Sequence, residues 1–361
     1  MFNVLLTAAG VGTGAPGSAT ILRMAGGEER PRTKVRVVRV RTRRTFAIAR
    51  SAADTFERVV LEVRAGGFLG MGEAAPTRYY GQDATSVAAA LEGVEIPDPW
   101  DIEGALALNG HLPPSGLAAL DGALHDLAAR RLGVPVYRLL GVGRPEPESA
   151  YTLPIADPET TVAEAGRLRG WPILKIKVGG PEDLETVRAV AEVSRARLWV
   201  DANEAFSPEE APEAAAVLRE MGVSMIEQPV PASAGPGALR RVKEAAGPVP
   251  VIADESALVA SDVPALAGCV SGVNVKLAKC GGIRRALQML YTARAHGMLV
   301  MLGCMVETSL GIAAAAHISG LFDLVDLDGA ALLADDPFRG PLLERGRIRL
   351  PAESGLGVEP R

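Results

Sequence analysis

The run ILKIKVGGPEDLETVRAVAEVSRARLWVDAN, residues 173–203, decides the fold. Its ends, ILKIKV and RLWVD, are short apolar strands, and PEDLETVRAVAEVSRA between them spaces its apolar residues as an amphipathic helix does. Strand, helix and strand in so short a span predict two parallel strands joined by a crossover. The first strand also carries an oddity. Lys175 and Lys177 stand two residues apart, so both project to one face of a segment that otherwise reads as buried. Like charges side by side disfavour each other, and folding alone would favour leucines there.

The same texture repeats outward. Further apolar strands read at YTLPI, SMIEQ, PVIAD, GVNVKL, MLVML and DLVDL, separated by stretches such as SPEEAPEAAAVLREMG and GIRRALQMLYTARAHG. Eight strands with interleaved helices predict a (β/α) barrel over residues 151–330. Residues 34–150 read as an α+β domain. Strands are expected at VRVVRVRTRR, ERVVLEVRAGG and FLGMGEAAP, and the clearest helix lies in SGLAALDGALHDLAARRLG, stopped by Gly133. Residues 331–361 are loop-rich and expected to pack back on that domain. Residues 1–33 are set apart as an extension. Gly12, Gly14 and Gly17 have GxGxxG spacing there, but the helix and acid-ended strand of a dinucleotide site do not follow.

Composition narrows the class of function. The 361 residues are 48% hydrophobic and 22% charged with a net charge of −5, which is globular and gives no basic field for nucleic acid. The cluster KVRVVRVRTRR, Lys34 to Arg44, alternates with valines and reads as an edge strand with a solvated face. No run of eighteen apolar residues exists to span a membrane, and the opening MFNVLLTAAGVGTGAPGSAT lacks the positive start of a signal peptide. Cys269, Cys280 and Cys304 have no CxxC spacing and the four histidines form no ligand pair, so a reducing cytoplasm is the simpler reading.

Polar groups at the C-terminal ends of barrel strands face the mouth. Here those ends carry Lys175 and Lys177, Asp201 and Asn203, Glu227, Asp254 and Glu255, Lys276 and Lys279, then Asp326 and Asp328. Any one acid alone reads as a helix N-cap. Asp201, Glu227 and Asp254 close three successive strands, and three clustered anions call for a hard cation with oxygen ligands, which Mg²⁺ fits. Lys177 and Lys276 then lie on either side of the metal. Two bases flanking a metal suit removal of a proton alpha to a carboxylate and stabilisation of the resulting enolate. Lys175 has a competing reading as a salt-bridge partner of the acids, and Lys279, in the turn before Gly281-Gly282, reads as solvated.

In order, LKIKVGG, VDAN, IEQP, IADES, NVKLAKCGG and VETSLG resemble the enolase superfamily, in its muconate-lactonizing subgroup, over about residues 34–355. The resemblance implies a modified TIM barrel, (β/α)7β, under an N-terminal α+β capping domain completed by the C-terminal tail. It also implies Mg²⁺ on Asp201, Glu227 and Asp254, with Lys177 and Lys276 as bases on opposite faces and Lys175 assisting Lys177. DLVDLDG puts Asp326 and Asp328 on one face, apart from the metal acids, and resembles the dipeptide epimerases. Their aspartates hold the substrate's N-terminal ammonium while its C-terminal carboxylate meets the metal. FAIARSAAD resembles the mobile loop of the L-Ala-D/L-Glu epimerases, with Arg50 where an arginine meets the glutamate; Met305 and Val306 are expected to line the pocket and Glu307 to support it. The segment after the aspartates, DGAALL, departs from the pattern in lacking a proline.

The implied reaction inverts the second residue of L-Ala-D/L-Glu or a related dipeptide, one lysine removing the proton and the other returning one. Muconate cycloisomerase, o-succinylbenzoate synthase and N-acylamino-acid racemase use the same lysines and stand as alternatives. A non-catalytic barrel is the reading from another class, and no ligand or base is missing to favour it. Apolar surface on such barrels often pairs, so a homo-oligomer is also expected.

Overall fold

The computed structural model describes residues 30–361. The GxGxxG spacing, the leader reading and most of the 1–33 extension lie outside the described residues. Arg32 and Thr33 already belong to the first strand.

Strands β1 (Arg32–Ile48), β2 (Ser51–Ala65) and β3 (Phe68–Ala74) form an antiparallel sheet in that order, with β1 at the edge. Gly66 and Gly67, at φ of +56° and +78°, make the two-residue turn between β2 and β3. The first hairpin runs further than the sequence pattern suggests. After a bulge between Arg41 and Phe46, pairing resumes at Phe46↔Ala53 and continues to Ile48↔Ser51. FAIARSAAD is therefore the tip of a long hairpin rather than a free loop, and Ala47 C=O accepts the Ile155 N–H at 3.0 Å, stitching the tip to the barrel.

Helices α1 (Ala84–Glu92), α2 (Ile102–Leu108) and α3 (Pro114–Arg131) cover this sheet. Val59, Leu61 and Val63 of β2 pack with Leu120, Leu124 and Leu127 of α3 in one core. The alternate glycines of FLGMGEA let α3 approach to backbone contact, since a Cβ on Gly70 would lie 2.2 Å from the Ala123 carbonyl oxygen. α3 is buried on every side because the barrel covers its other face. Its Asp121 accepts the N–H of Ile283, at the start of a barrel helix, at 2.5 Å, and its Asp126 accepts those of Met71 (2.9 Å) and Leu356 (2.7 Å). Two buried acids thus pin sheet, barrel and tail together.

The barrel strands are β4 (Tyr151–Leu153), β5 (Ile173–Lys177), β6 (Arg197–Asp201), β7 (Met225–Glu227), β8 (Val251–Ala253), β9 (Gly272–Lys276), β10 (Leu299–Gly303) and β11 (Leu324–Val325). All neighbours pair parallel in chain order, and the ends meet where Ala150 N–H donates to Val325 C=O at 3.0 Å. Ile173, Trp199, Met225, Ile252 and Met301 form an apolar plug, separate from the core shared with the helices. Ile173, Lys175 and Lys177 lie on one strand face, apolar below and charged toward the mouth. The tail returns to the first domain: Arg43 N–H donates to Leu332 C=O at 2.9 Å and Ala334 N–H to Arg41 C=O at 2.8 Å. Among the described residues no helix is long and apolar enough to cross a membrane.

Candidate active site

Five consecutive strands end in the series Lys177, Asp201, Glu227, Asp254, Lys276. Lys177 is a register partner of Asp201, and Asp201 of Glu227. Asp254 follows β8 directly and Lys276 ends β9. In a closed ring of eight strands, β5 and β9 are diametrically opposed, and β11, carrying Asp326 and Asp328, faces β7 and Glu227. The mouth is therefore divided into quarters: acids on one side, a second acid pair across from them, and a lysine on each flank.

Every one of these groups is buried. Lys177 Nζ donates to Asp201 Oδ2 (2.5 Å) and Asn203 Oδ1 (3.0 Å), and Lys276 Nζ to Asp254 Oδ2 (2.9 Å). Lys175 is a hub beneath the mouth. Its Nζ bonds Asp326 and reaches Glu227 Oε2 at 3.2 Å and Asp201 Oδ2 at 3.3 Å. Although it lies across the mouth, the aspartate pair is thus linked to Glu227 and Asp201 through Lys175, a connection that its expected separateness did not suggest. Asp326 Oδ1 is buried without a hydrogen-bond partner, and Asp328 Oδ2 accepts the Thr152 N–H at 2.6 Å. Burial, then the charge of Asp326, pushes the Asp328 carboxyl up to about 7.

Lys279 corrects the sequence expectation outright. It is 3% exposed, not solvated. The four-residue helix Leu277–Cys280 turns it back under the strand ends, where Nζ bonds the Asp254 carboxylate and donates to the carbonyls of Asp254 (2.7 Å), Asn274 (3.0 Å) and Ala257 (3.2 Å). Asn274 was missed altogether: its Nδ2 donates to Glu227 Oε1 at 2.6 Å. Its signal was available, because it precedes Lys276 by two on the same strand face. Asn203, Glu204 and Gln228 adopt positive φ in the loops after β6 and β7, so strained backbone aims the side chains beside the acids.

Among the described residues no three acidic, histidine or cysteine side chains converge on a metal position, since the acids turn onto ammonium groups. Their chemistry nonetheless fits a hard cation, being three buried carboxylates from adjacent strands with oxygen donors only. Burial and then Asp201, with Asp254 adding, push Glu227 up to about 7. Burial also raises Asp201, but Lys177 and Lys175 outweigh it and hold that carboxyl at about 2. Lys276 is lowered by burial, yet Asp254 and Glu227 carry it well above the usual lysine range. The Lys276 ammonium, donating to the ionised Asp254 carboxylate, is thus held in its protonated form in this arrangement.

A cavity of about 480 Å³ opens above these groups, roofed by the hairpin tip and the segment Pro76–Tyr80. Met305 and Val306 line it, and Glu307 Oε1 holds the Met305 N–H at 2.8 Å. Arg50, at the hairpin tip, reaches across the mouth. It donates to Glu255 Oε1 at 2.6 Å and to Asn203 C=O at 3.0 Å, lies 3.7 Å from Glu204 Oε2, and covers the Tyr79 ring at 4.0 Å.

Comparison with known proteins gives a consistent picture. Residues 32–141 match the mandelate racemase / muconate lactonizing enzyme N-terminal domain, and residues 160–361 the enolase C-terminal domain-like family. An L-Ala-D/L-amino acid epimerase of Maribacter sp. is 36% identical over 323 residues, covering 87% of this chain and 95% of that protein. An L-Ala-D/L-Glu epimerase of Bacteroides thetaiotaomicron is 36% identical over 328 residues, covering 88% and 85%. The crystal structure of an Enterococcus faecalis dipeptide epimerase complexed with Mg and L-Leu-L-Tyr is 29% identical with a TM-score of 0.86, covering 91% of this chain and 99% of that one.

Proposed function

The chain belongs to the mandelate racemase / muconate lactonizing enzyme family of the enolase superfamily, and from that membership we propose that it is a Mg²⁺-dependent dipeptide epimerase. It inverts the alpha carbon of the second residue by a two-base 1,1-proton transfer, acting on L-Ala-D/L-Glu or a related dipeptide in the cytoplasm. The single observation that carries this reading is the quartered mouth: opposed Lys177 and Lys276 between the acids of β6–β8 and the aspartates of β11.

A dipeptide zwitterion fits those quarters end to end. Its carboxylate lies toward Asp201, Glu227 and Asp254, which would hold the divalent ion that supplies Lewis-acid stabilisation as charge builds there. Its ammonium lies toward Asp328 and the unpartnered Asp326 Oδ1. The alpha carbon is left between the lysines. Lys177 takes the proton from one face and Lys276 delivers one to the other, with the roles exchanged for the opposite epimer. Lys175 keeps Asp326 and Glu227 in place from below. An acyl or muconate substrate has no cation for the β11 acids, which disfavours those alternatives.

The test is incubation of dipeptides with Mg²⁺ in D₂O. Deuterium should enter only the alpha position of the second residue, with both epimers appearing, and N-acetylation of the dipeptide should suppress it. Absence of label from every dipeptide would sink the proposal.

A further inference from the structure

Resting on that reaction, we infer that the enzyme takes an uncharged, apolar or aromatic side chain at the second residue and discriminates against glutamate there. The direction of that side chain follows from the quarters. At a planar alpha carbon, Lys177 and Lys276 occupy the two faces, the carboxylate points toward β6–β8 and the amide nitrogen toward β11. Only the way out of the mouth remains, into the roofed cavity.

That roof offers apolar surface. Phe46, Ile48 and Phe56 of the hairpin, Tyr80, Val306 and Leu332 all line it. A glutamate carboxylate needs a cation, and those in the roof are engaged elsewhere. The Arg50 guanidinium donates to Glu255 and the Asn203 carbonyl, lies beside Glu204 and stacks on Tyr79. Arg58, only 4% exposed, donates to the carbonyls of Val306 and Glu57, both at 2.6 Å. Arg78 is exposed at the rim, where water and salt screen it.

A substrate glutamate that claimed Arg50 would take the cation from Glu255. Glu255 is buried next to Asp254, and its Oε2 already lacks a hydrogen-bond partner. Taking away its guanidinium would leave that carboxylate only the Asn203 amide at 3.3 Å as a hydrogen-bond donor, a cost that leucine or phenylalanine does not incur. Arg50 is thus a clamp holding the hairpin tip to the barrel, and the roof selects by apolar contact.

The experiment sets L-Ala-L-Leu, L-Ala-L-Phe and L-Ala-L-Glu in equimolar competition in D₂O with Mg²⁺, reading alpha-deuterium by mass spectrometry. The leucine and phenylalanine dipeptides should label at least about tenfold faster than the glutamate one. Glutamate labelling at an equal or greater rate overturns the inference while leaving the epimerase reading intact. No label in any of the three overturns this inference, while the epimerase reading falls only if every other dipeptide stays unlabelled as well. Arg50→Met supplies an independent arm. The leucine-to-glutamate ratio should stay within about threefold of wild type, because Arg50 does not meet the substrate side chain. A larger rise, from selective loss of the glutamate substrate, also overturns the inference.

Discussion

Lys279 donates to both the side chain and the main-chain carbonyl of Asp254, so the acid that follows β8 is gripped from beneath as well as by Lys276 from the mouth. The two contacts divide the labour: one ammonium is buried structure and the other faces the cavity. Removing a partner from a buried ion pair costs about 3–5 kcal/mol. Lys279→Met should therefore lower the unfolding free energy by roughly that amount, measured by urea denaturation. A variant as stable as wild type would mean the grip is not structural.

Opposed lysines make a prediction that a one-base enzyme does not share. In Lys276→Met, epimerisation should fall by about 10²–10⁴-fold, while solvent exchange of the alpha proton persists in the one epimer whose hydrogen faces Lys177. Lys177→Met should show the mirror-image pattern. Proton NMR of each purified epimer in D₂O reads this directly. Loss of exchange from both epimers in either variant would argue against separate faces.

Much of this was legible in the sequence because barrel strands advertise themselves. Their buried alternation with helices gave eight strands, and charges at their ends gave the mouth. What stayed hidden depended on contacts without local pattern. Lys279 sits in a turn that looks solvent-facing until the chain folds back beneath Asp254. Arg50 and Glu255 are far apart in sequence, and only the length of the hairpin, set by pairing past the bulge at Arg41, brings them together. Asn274 carried a usable signal in its spacing from Lys276, but a neutral side chain in a strand draws less notice than a charge.

Asp328 tests the ammonium assignment. An asparagine can still accept the Thr152 N–H through its amide oxygen, so Asp328→Asn removes charge with little change in shape. A hydrogen bond to a charged group contributes about 1.5–3 kcal/mol, so kcat/KM for dipeptides should fall roughly 10–100-fold. Steady-state kinetics by polarimetry or chiral chromatography measures this. An unchanged kcat/KM would remove the aspartate from substrate recognition.

Away from the mouth, Glu73 of β3 is buried against the loop that carries Met305 and Val306, accepting the Thr308 N–H at 3.0 Å and the Thr308 hydroxyl. Burial, then Glu307, pushes its carboxyl up to about 7 from an ordinary 4.5. The folded chain therefore binds this proton more tightly than the unfolded one. Its contribution is fully present below about pH 4.5 and is lost as pH rises to about 7, at about 1.4 kcal/mol per pH unit. Glu73→Gln cannot ionise and keeps an acceptor for Thr308. Thermal melts should thus find the variant's advantage over wild type growing between pH 5 and pH 8. A difference independent of pH would contradict the raised pKa.

Metal binding gives the last prediction, with a readout that needs no substrate. A ligand that binds only the folded chain stabilises it by RT ln(1 + [L]/Kd), about 2.7 kcal/mol at a hundredfold excess over Kd. Wild-type Tm should therefore climb steadily with Mg²⁺, and chelation by EDTA should reverse the gain. Glu227→Gln is nearly isosteric and leaves an amide oxygen for the Asn274 Nδ2, so the metal-free variant should fold. It removes one of the three carboxylate charges that set the affinity. Its Tm should respond to Mg²⁺ only at much higher concentration, whereas Glu73→Gln, outside the acid cluster, should respond as wild type does. Equal Mg²⁺ responses in wild type and Glu227→Gln would take the metal away from the ends of β6–β8. The two-base chemistry would then have no cation at that end of the substrate to stabilise the negative charge left behind when the proton is removed.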